Sequence, residues 1–157
     1  MNNTVILIPS RLAATRLPKK PLLKINNMSI INHVYKIAKS SLVDQCYVAT
    51  GDEEIFQEVT QNGGKCILTQ SDHKTGTDRI YEAFEKIEND NIEYVINLQG
   101  DEPMLDIQDV NNLLEKTIEK KSKVSTLACE IESEEILSKK NIVKVTTNEK
   151  LIEGKLS

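Results

Sequence analysis

The chain alternates short, continuously apolar runs with longer segments in which apolar side chains recur every three or four residues. Continuous runs of this length are typical of strands buried on both faces, and the longer spacing is typical of amphipathic helices. The predicted strands are Thr4 to Ile8, Cys46 to Ala49, Lys65 to Leu68 and Tyr94 to Leu98. The predicted helices are one that begins after Ser29, Glu53 to Gln61, Asp78 to Ile87, and one that carries Val110, Leu113, Leu114 and Ile118.

Residues at the ends of these segments match helix start and stop signals. Ser29 and Thr77 each precede a helical pattern and are predicted N-caps, and Gly63 is predicted to end the second helix. Two further short strands are predicted near Val124 to Cys129 and Val143 to Thr147.

The order of these elements predicts the fold class. Buried strands separated by amphipathic helices form a doubly wound α/β fold, with a mainly parallel sheet and helices on both faces. A length of 157 residues predicts one domain, residues 1–157. Ligands of such sheets bind beyond the carboxyl ends of the strands, so the chemistry is expected in the loops after them. Those loops are Pro9 to Lys24, Thr50 to Asp52, Thr69 to Thr77 and Gln99 to Asp106.

Composition and charge restrict the class of partner. The sequence has neither an apolar run of membrane-spanning length nor a signal-peptide pattern, which predicts a cytoplasmic protein that does not interact with membranes. The three cysteines are widely spaced and lie in apolar runs, so we expect reduced, buried thiols. A net charge of −4 argues against a nucleic-acid partner.

The first loop is strongly cationic and rigid. Arg11, Arg16 and Lys20 lie in it, Pro18 and Pro21 restrict its backbone, and no acidic residue precedes Asp44. Arginine forks and lysine point charges match a triphosphate, but a solvated basic loop is an equally good interpretation of this segment taken alone.

Two other loops carry candidate chemistry. Asp101 follows a buried strand, and a carboxylate there is suited to Mg²⁺ shared with substrate phosphates, the alternative being a plain Gly-Asp turn. Thr75 and Gly76 precede a helix whose free N–H groups could meet a base or a phosphate. His73 is interpreted as an exposed loop residue rather than a catalytic one, and His33 as a structural or surface residue.

Four segments in this order, "IPSRLAATRLPKKPL", "ATGDEE", "DHKTGTDR" and "NLQGDEP", together resemble the 3-deoxy-manno-octulosonate (KDO) cytidylyltransferases. The similarity extends from about Thr4 to Thr147. It implies a nucleotide-diphospho-sugar transferase-like fold and a reaction in which CTP and KDO give CMP-KDO and pyrophosphate, for lipopolysaccharide synthesis.

The resemblance also implies the roles of individual residues. Arg11, Arg16 and Lys20 are expected to hold the triphosphate as catalytic residues, and Asp101 to bind Mg²⁺. The nucleotide site is expected to comprise Pro9, Ser10, Arg11, Arg16, Lys20, Thr75, Gly76 and Gln99. Thr75 stands where the family usually has serine, which keeps the hydroxyl and adds a methyl group.

Family members continue beyond the point where this sequence stops, and that further part carries sugar-binding residues, a second metal carboxylate and much of the dimer contact. The resemblance therefore implies a chain that lacks the C-terminal sugar-binding and dimerisation part, with a homodimer as an open possibility. Two alternatives remain: a transferase for another sugar acid, such as a sialic acid, and a nucleotide-binding chain without catalysis.

Overall fold

The fold is that of a computed structural model, which describes residues 3–13 and 17–146. Its contacts divide the chain into two compact units, Met1–Gln108 and Asp109–Ser157. The first unit contains strands, three helices and a short 3₁₀ segment, Lys20–Leu22. Its strands are β1 Thr4–Ser10, β2 Lys24–Ile25, β3 Met28–Ser29, β4 Gln45–Thr50, β5 Cys66–Leu68 and β6 Tyr94–Asn97. Its helices are α1 Ile30–Lys39, α2 Glu53–Gln61 and α3 Gly76–Glu85.

Four strands form one parallel sheet in the order β5-β4-β1-β6. The chain starts in the middle of this sheet, adds strands on one side and then crosses to the other, which is the predicted doubly wound arrangement. The fold-class prediction is confirmed. All four predicted strands of this sheet exist, with ends displaced by one or two residues.

The central strand explains why the sheet is stable. Val5, Ile6, Leu7 and Ile8 are fully buried because side chains on both faces of β1 are covered. Val5 and Leu7 join a cluster with Ala49 of β4 and Ile80 and Ala83 of α3, whereas α1 also packs against β1. Each face of the sheet thus buries alternate residues of one apolar run.

Helix boundaries follow the sequence signals in part. Gly63 has a φ of +78° and lies just beyond α2, as predicted. Ser29 is the N-cap of α1, but its hydroxyl caps no backbone group and is buried without a partner among the described residues. The prediction for Thr77 is wrong: Thr75 is the N-cap of α3, because Asp78 at the third helical position completes a capping box with it.

A short hairpin between β2 and β3 was not predicted. Its turn residues Asn26 and Asn27 have φ values of 48° and 65°, which is the left-handed backbone of a two-residue type I′ turn. Asparagine tolerates this conformation better than most residues, so the Asn-Asn pair was an available signal. His33 is structural, as interpreted, and its Nε2 atom lies 2.8 Å from the carbonyl oxygen of Ile25 in the hairpin.

The chain continues through helix α4, Ile107–Lys120, and a short helix α5, Glu134–Ser138, belongs to the second unit. The strands predicted near Val124 to Cys129 and Val143 to Thr147 are wrong for residues 124–129 and 143–146, and Thr147 lies outside the described residues. Val124 and Val143 are 88% and 92% exposed, so these apolar side chains are not buried as a sheet would bury them.

The cysteine prediction holds only in part. All three cysteines are free thiols, and Cys46 is buried, Cys66 half-buried and Cys129 exposed. Cys129 was expected to be buried because its segment was expected to be a strand. Burial raises the pKa of both the Cys46 and the Cys66 thiol to about 12. Within residues 3–13 and 17–146, no helix combines the length and apolar character needed to cross a membrane.

Candidate functional site

A cavity of about 650 Å³ lies beyond the carboxyl ends of β1 and β6, entirely within the first unit. It is lined by Pro9, Ser10, Arg11, Ala13, Leu17, Lys20, Pro21, His73, Thr75, Gly76, Arg79, Gln99, Gly100 and Asp101. The structure therefore brings together every predicted site residue that it describes. Arg16, the remaining one, lies outside the described residues.

Pro9 and two glycines shape the floor of this cavity. A Cβ atom on Gly100 would lie 2.8 Å from the Pro9 carbonyl oxygen, and one on Gly76 would lie 3.3 Å from the Pro9 Cγ atom. The first distance is shorter than any normal contact with backbone, so the loop after β6 approaches β1 this closely because residue 100 has no side chain.

Ser10 presents a polar group that the described residues leave unpaired. It is the last residue of β1 and is 6% exposed, and its Oγ atom is buried without a hydrogen-bond partner in the described part of the chain. An unsatisfied buried hydroxyl costs about 1–3 kcal/mol unless something supplies a partner. Because Ser10 lines the cavity, a polar ligand atom there would remove this cost.

The segment from Arg11 to Lys24, here called the cationic loop, is held by acidic residues at the start of helix α2. The Leu12 backbone N–H donates to Asp52 Oδ2 at 2.9 Å, and Lys19 Nζ lies 2.6 Å from Glu54 Oε2. Asp52 occupies the N-cap position of α2 but makes no capping bond there. Its carboxylate contacts the cationic loop instead, and so helps to position the backbone next to Arg11.

Lys20 and Asp101 form an ion pair at the wall of the cavity, with Nζ and Oδ2 2.7 Å apart. Their side chains are 34% and 54% exposed, so both groups remain accessible to a ligand. No group of three or more His, Cys, Asp and Glu side chains among residues 3–13 and 17–146 is arranged to hold a metal. One accessible carboxylate beside cationic side chains fits Mg²⁺, which commonly takes one or two carboxylates and completes its shell with water and phosphate.

The loop from Thr69 to Thr75 ends in the capping box of α3. It is here called the base loop because it leads to Thr75 and Gly76, which were predicted to line the nucleotide base. The Thr75 hydroxyl accepts the Asp78 N–H at 3.1 Å and donates to Asp78 Oδ2 at 2.7 Å. Asp78 also accepts the Thr75 N–H at 3.2 Å. This pairing fixes the Thr75 side chain and places Gly76 in the first turn beside Pro9.

Comparison with known proteins shows the family to which the chain belongs. A sequence profile described as Cytidylyltransferase matches residues 5–154. The chain belongs to the cytidylyltransferase family.

Several cytidylyltransferases are similar over most of this chain. The 3-deoxy-manno-octulosonate cytidylyltransferase of Rhodopseudomonas palustris (strain BisB18) is 41% identical over 143 residues, which are 90% of this chain and 58% of the relative. The enzyme of the same name from Thermodesulfovibrio yellowstonii is 44% identical over 148 residues, again 90% and 58%. The resemblance noted in the sequence is thus confirmed, and the chain spans 58% of the length of these relatives.

Solved cytidylyltransferases have the same fold. A CMP:2-keto-3-deoxy-manno-octonic acid synthetase in complex with CTP superposes with a TM-score of 0.73 at 43% identity, over 77% of this chain and 49% of that one. A cytidylyltransferase from Leptospira borgpetersenii superposes with a TM-score of 0.66 at 20% identity, over 79% and 52%, and supports the fold alone.

Arg79 is a cavity residue that sequence reasoning missed. It is only 3% exposed and lies on α3 among the residues that line the cavity. Ala83, four residues further on, is on the buried face of the same helix. An arginine at a core-facing helical position was therefore the available signal.

Glu82 supports the base loop from α3. It accepts the Gln70 N–H at 2.9 Å, lies 2.7 Å from Lys86 Nζ, and contacts His73 Nε2. Burial raises the pKa of Glu82, but the hydrogen bonds from Lys86, His73 and Gln70 outweigh it and hold the pKa at about 2. His73 thus stabilises the loop through its contact with Glu82. It is not the exposed, free loop residue that was expected from the sequence.

Proposed function

We propose that this chain binds CTP and takes part in transfer of its cytidylyl group to KDO, which gives CMP-KDO and pyrophosphate for lipopolysaccharide synthesis. The observation that carries the proposal is a cavity lined by Arg11, Lys20, Asp101 and Ser10, whose hydroxyl has no partner in the described part of the chain. The family supports it, because a similar structure was solved with CTP and the similar curated enzymes are named for KDO.

Each predicted residue receives a role in this proposal. Arg11, Arg16 and Lys20 hold the triphosphate as catalytic residues, with Pro9 and Ser10 completing that side. Thr75, Gly76 and Gln99 line the base side, and Asp101 holds Mg²⁺. When bound, Mg²⁺ would neutralise phosphate charge and help to orient the reacting groups.

The reaction is an in-line displacement at the α-phosphorus. A hydroxyl oxygen of the sugar acid forms a bond to that phosphorus, the bond to the bridging oxygen of the β-phosphate breaks, and pyrophosphate leaves with that electron pair. The hydroxyl proton passes to solvent or to a nearby phosphate oxygen. Arg11 and Lys20 contribute by holding the phosphates in line and stabilising their negative charge, which is where most of the acceleration in such transfers originates.

The wider properties are part of the proposal. We propose a single nucleotide-binding domain that works in the cytoplasm, with a sugar acid and CTP as its small-molecule partners and without nucleic acid or membrane. A homodimer remains a prediction. The fold and the family support the nucleotide side of this assignment more directly than the sugar side, because the chain spans 58% of the length of its relatives.

The first test is CTP binding measured by titration calorimetry in the presence of Mg²⁺. Arg11→Ala and Lys20→Ala each remove a charge from the phosphate side, so we expect CTP affinity to fall about tenfold to a hundredfold, which corresponds to about 1.4–2.7 kcal/mol. Lys36→Ala, on the exposed surface of α1, is the matched control and should leave the affinity unchanged.

A second measurement tests the transfer itself. Pyrophosphate release with CTP and Mg²⁺ is compared for KDO, a sialic acid and no acceptor, and we expect release only with KDO. Release with the sialic acid would assign the chain to another sugar acid. CTP binding without release on either acceptor would leave a nucleotide-binding chain, and absence of CTP binding would refute the proposal.

A further inference from the structure

Arg79 is buried in an unusual environment for a cation. Its Nη1 atom donates to Thr69 Oγ1 at 2.5 Å and to the Gln70 carbonyl oxygen at 2.9 Å, and Nη2 lies 3.5 Å from the Ser71 carbonyl oxygen. These acceptors are all neutral oxygens at the start of the base loop. Among the described residues, no carboxylate forms a direct ion pair with Arg79.

Burial of a charged guanidinium is energetically costly. A guanidinium taken out of water loses several kcal/mol of solvation, which hydrogen bonds and nearby charge offset. Burial lowers the pKa of Arg79, and the negative charge of Asp52 opposes this shift. The buried guanidinium therefore depends on the loop oxygens for its hydrogen bonds, and the loop depends on the guanidinium for its position.

Gly51 provides the space for this arrangement. A Cβ atom at residue 51 would lie 2.5 Å from Ser71 Cα, 2.8 Å from the Gln70 carbonyl oxygen and 2.9 Å from Arg79 Nη1. The turn after β4 thus packs directly on the base loop and on the guanidinium. The base loop therefore lies between the turn after β4 and the buried side chain of Arg79.

Different hydrogen bonds and ion pairs hold the two sides of the cavity, although the charge of Asp52 acts on Arg79 as well as on the cationic loop. The cationic loop is tied by Asp52, Glu54 and Asp101. The base loop is tied by Arg79 and Glu82. A change at Arg79 should therefore disturb the base side more than the phosphate side.

We propose that Arg79 is a positioning residue that fixes the base loop, so that selectivity for the nucleotide base depends on its guanidinium while binding of the phosphates does not. The inference rests on the proposed function for the identity of the ligand. Arg79 acts through Thr69, Gln70 and Ser71, and these set where Thr75 and Gly76 stand. A lysine cannot replace it, because one ammonium group cannot match the planar fork that reaches several oxygens.

The test compares three probes in the presence of Mg²⁺: CTP, UTP and inorganic tripolyphosphate, which has no base. Arg79→Lys keeps the charge, so we expect CTP affinity to fall about tenfold and the preference for CTP over UTP to shrink. Tripolyphosphate affinity should stay within about twofold of the unchanged protein. Equal weakening of all three probes by Arg79→Lys, in protein that circular dichroism shows to be folded, would overturn the proposal.

Thr69 supplies a milder pair of variants in case Arg79→Lys folds poorly. Thr69→Val keeps the shape but removes the hydroxyl that accepts from Arg79, and Thr69→Ser keeps the hydroxyl. We expect Thr69→Val to weaken CTP binding about threefold without affecting tripolyphosphate, and Thr69→Ser to behave as the unchanged protein. If Arg79→Lys and Thr69→Val both bind CTP as tightly as the unchanged protein, the positioning role is overturned.

Hydrogen exchange without nucleotide makes the inference testable independently of the proposed function. In Arg79→Lys, amides of residues 69–75 should exchange at least about tenfold faster, whereas amides of β1 should keep their rates. Unchanged protein that binds neither CTP nor tripolyphosphate would refute the proposed function alone. Unchanged exchange in residues 69–75 of Arg79→Lys would refute the role of Arg79.

Discussion

At the scale of single residues, the site depends on polar groups that are used outside their usual local roles. Asp52 stands where a helix cap belongs, yet its carboxylate accepts from the Leu12 N–H of the cationic loop. Ser10 has a buried hydroxyl that the described protein does not pair. Both choices make sense if the cavity is arranged around a ligand rather than for maximal stability of the free chain.

Glu82 yields a prediction for pH dependence. Its folded-state pKa of about 2 lies below the ordinary unfolded value near 4.3, so its contribution to stability is complete above the unfolded value and is lost as pH falls toward 2. We expect Glu82→Gln to lower the free energy of unfolding by about 1–3 kcal/mol at pH 7. The difference should narrow between pH 5 and pH 3.

Urea unfolding at several pH values measures this effect. Glu88→Gln removes an equivalent charge from an exposed residue just beyond α3 and serves as the control, with no change expected at any pH. A destabilisation by Glu82→Gln that stays constant down to pH 3 would mean that the ionised carboxylate is not what Lys86, His73 and Gln70 stabilise.

The roles of the site residues were predicted through motif resemblance, whereas their location was predicted from the pattern of strands and loops. Arg11, Lys20 and Asp101 were found because they follow strand ends, where such folds bind ligands. Arg79 was missed because a charged residue within an amphipathic helix is ordinarily assigned to the solvent face. Only three-dimensional packing reveals that the loop oxygens compensate its burial.

At the scale of elements, apolar periodicity was sufficient wherever the core decides the structure. Helix α2 was predicted with the bounds it has, Glu53–Gln61, because buried Ile55 and Val59 repeat at helical spacing and Gly63 stops it. The hairpin of β2 and β3 was not found, since two-residue strands carry no periodicity. The start of α3 was placed too late because two threonines compete for the cap.

The capping box of α3 predicts different costs for those two threonines. Thr75→Val keeps the branched shape but removes the hydroxyl that accepts from and donates to Asp78, so we expect a loss of about 1 kcal/mol in the free energy of unfolding. Thr77→Val, in the exposed first turn, should change it by less than about 0.5 kcal/mol. Thermal unfolding followed by circular dichroism measures both, and equal losses would contradict the assignment of Thr75 as the cap.

At the scale of the whole molecule, the sheet and helix α4 were predictable, whereas the segments after α4 were not. Four parallel strands follow from buried apolar runs joined by helices. In residues 124–129 and 143–146, similar runs remain exposed and form no strand. A local pattern cannot tell whether a partner strand is available, because pairing depends on distant parts of the chain.

The contrast between these regions gives a matched pair of substitutions. Val48 of β4 is fully buried and Val143 is 92% exposed. Val48→Ala removes two buried methyl groups and leaves a small cavity, so we expect a loss of about 2 kcal/mol in the free energy of unfolding. Val143→Ala should stay within about 0.5 kcal/mol in the same denaturant titration. Similar losses for both would mean that Val143 contributes to a core.

The two glycines beside Pro9 are unequal in what they permit over evolution or in a mutant library. At residue 100 any side chain meets a backbone oxygen at 2.8 Å, and backbone cannot be exchanged for a smaller group. At residue 76 the obstacle is the edge of the proline ring at 3.3 Å, which a smaller ninth residue would remove. A side chain at position 76 should therefore be accommodated through paired changes at positions 9 and 76, whereas one at position 100 should not be accommodated.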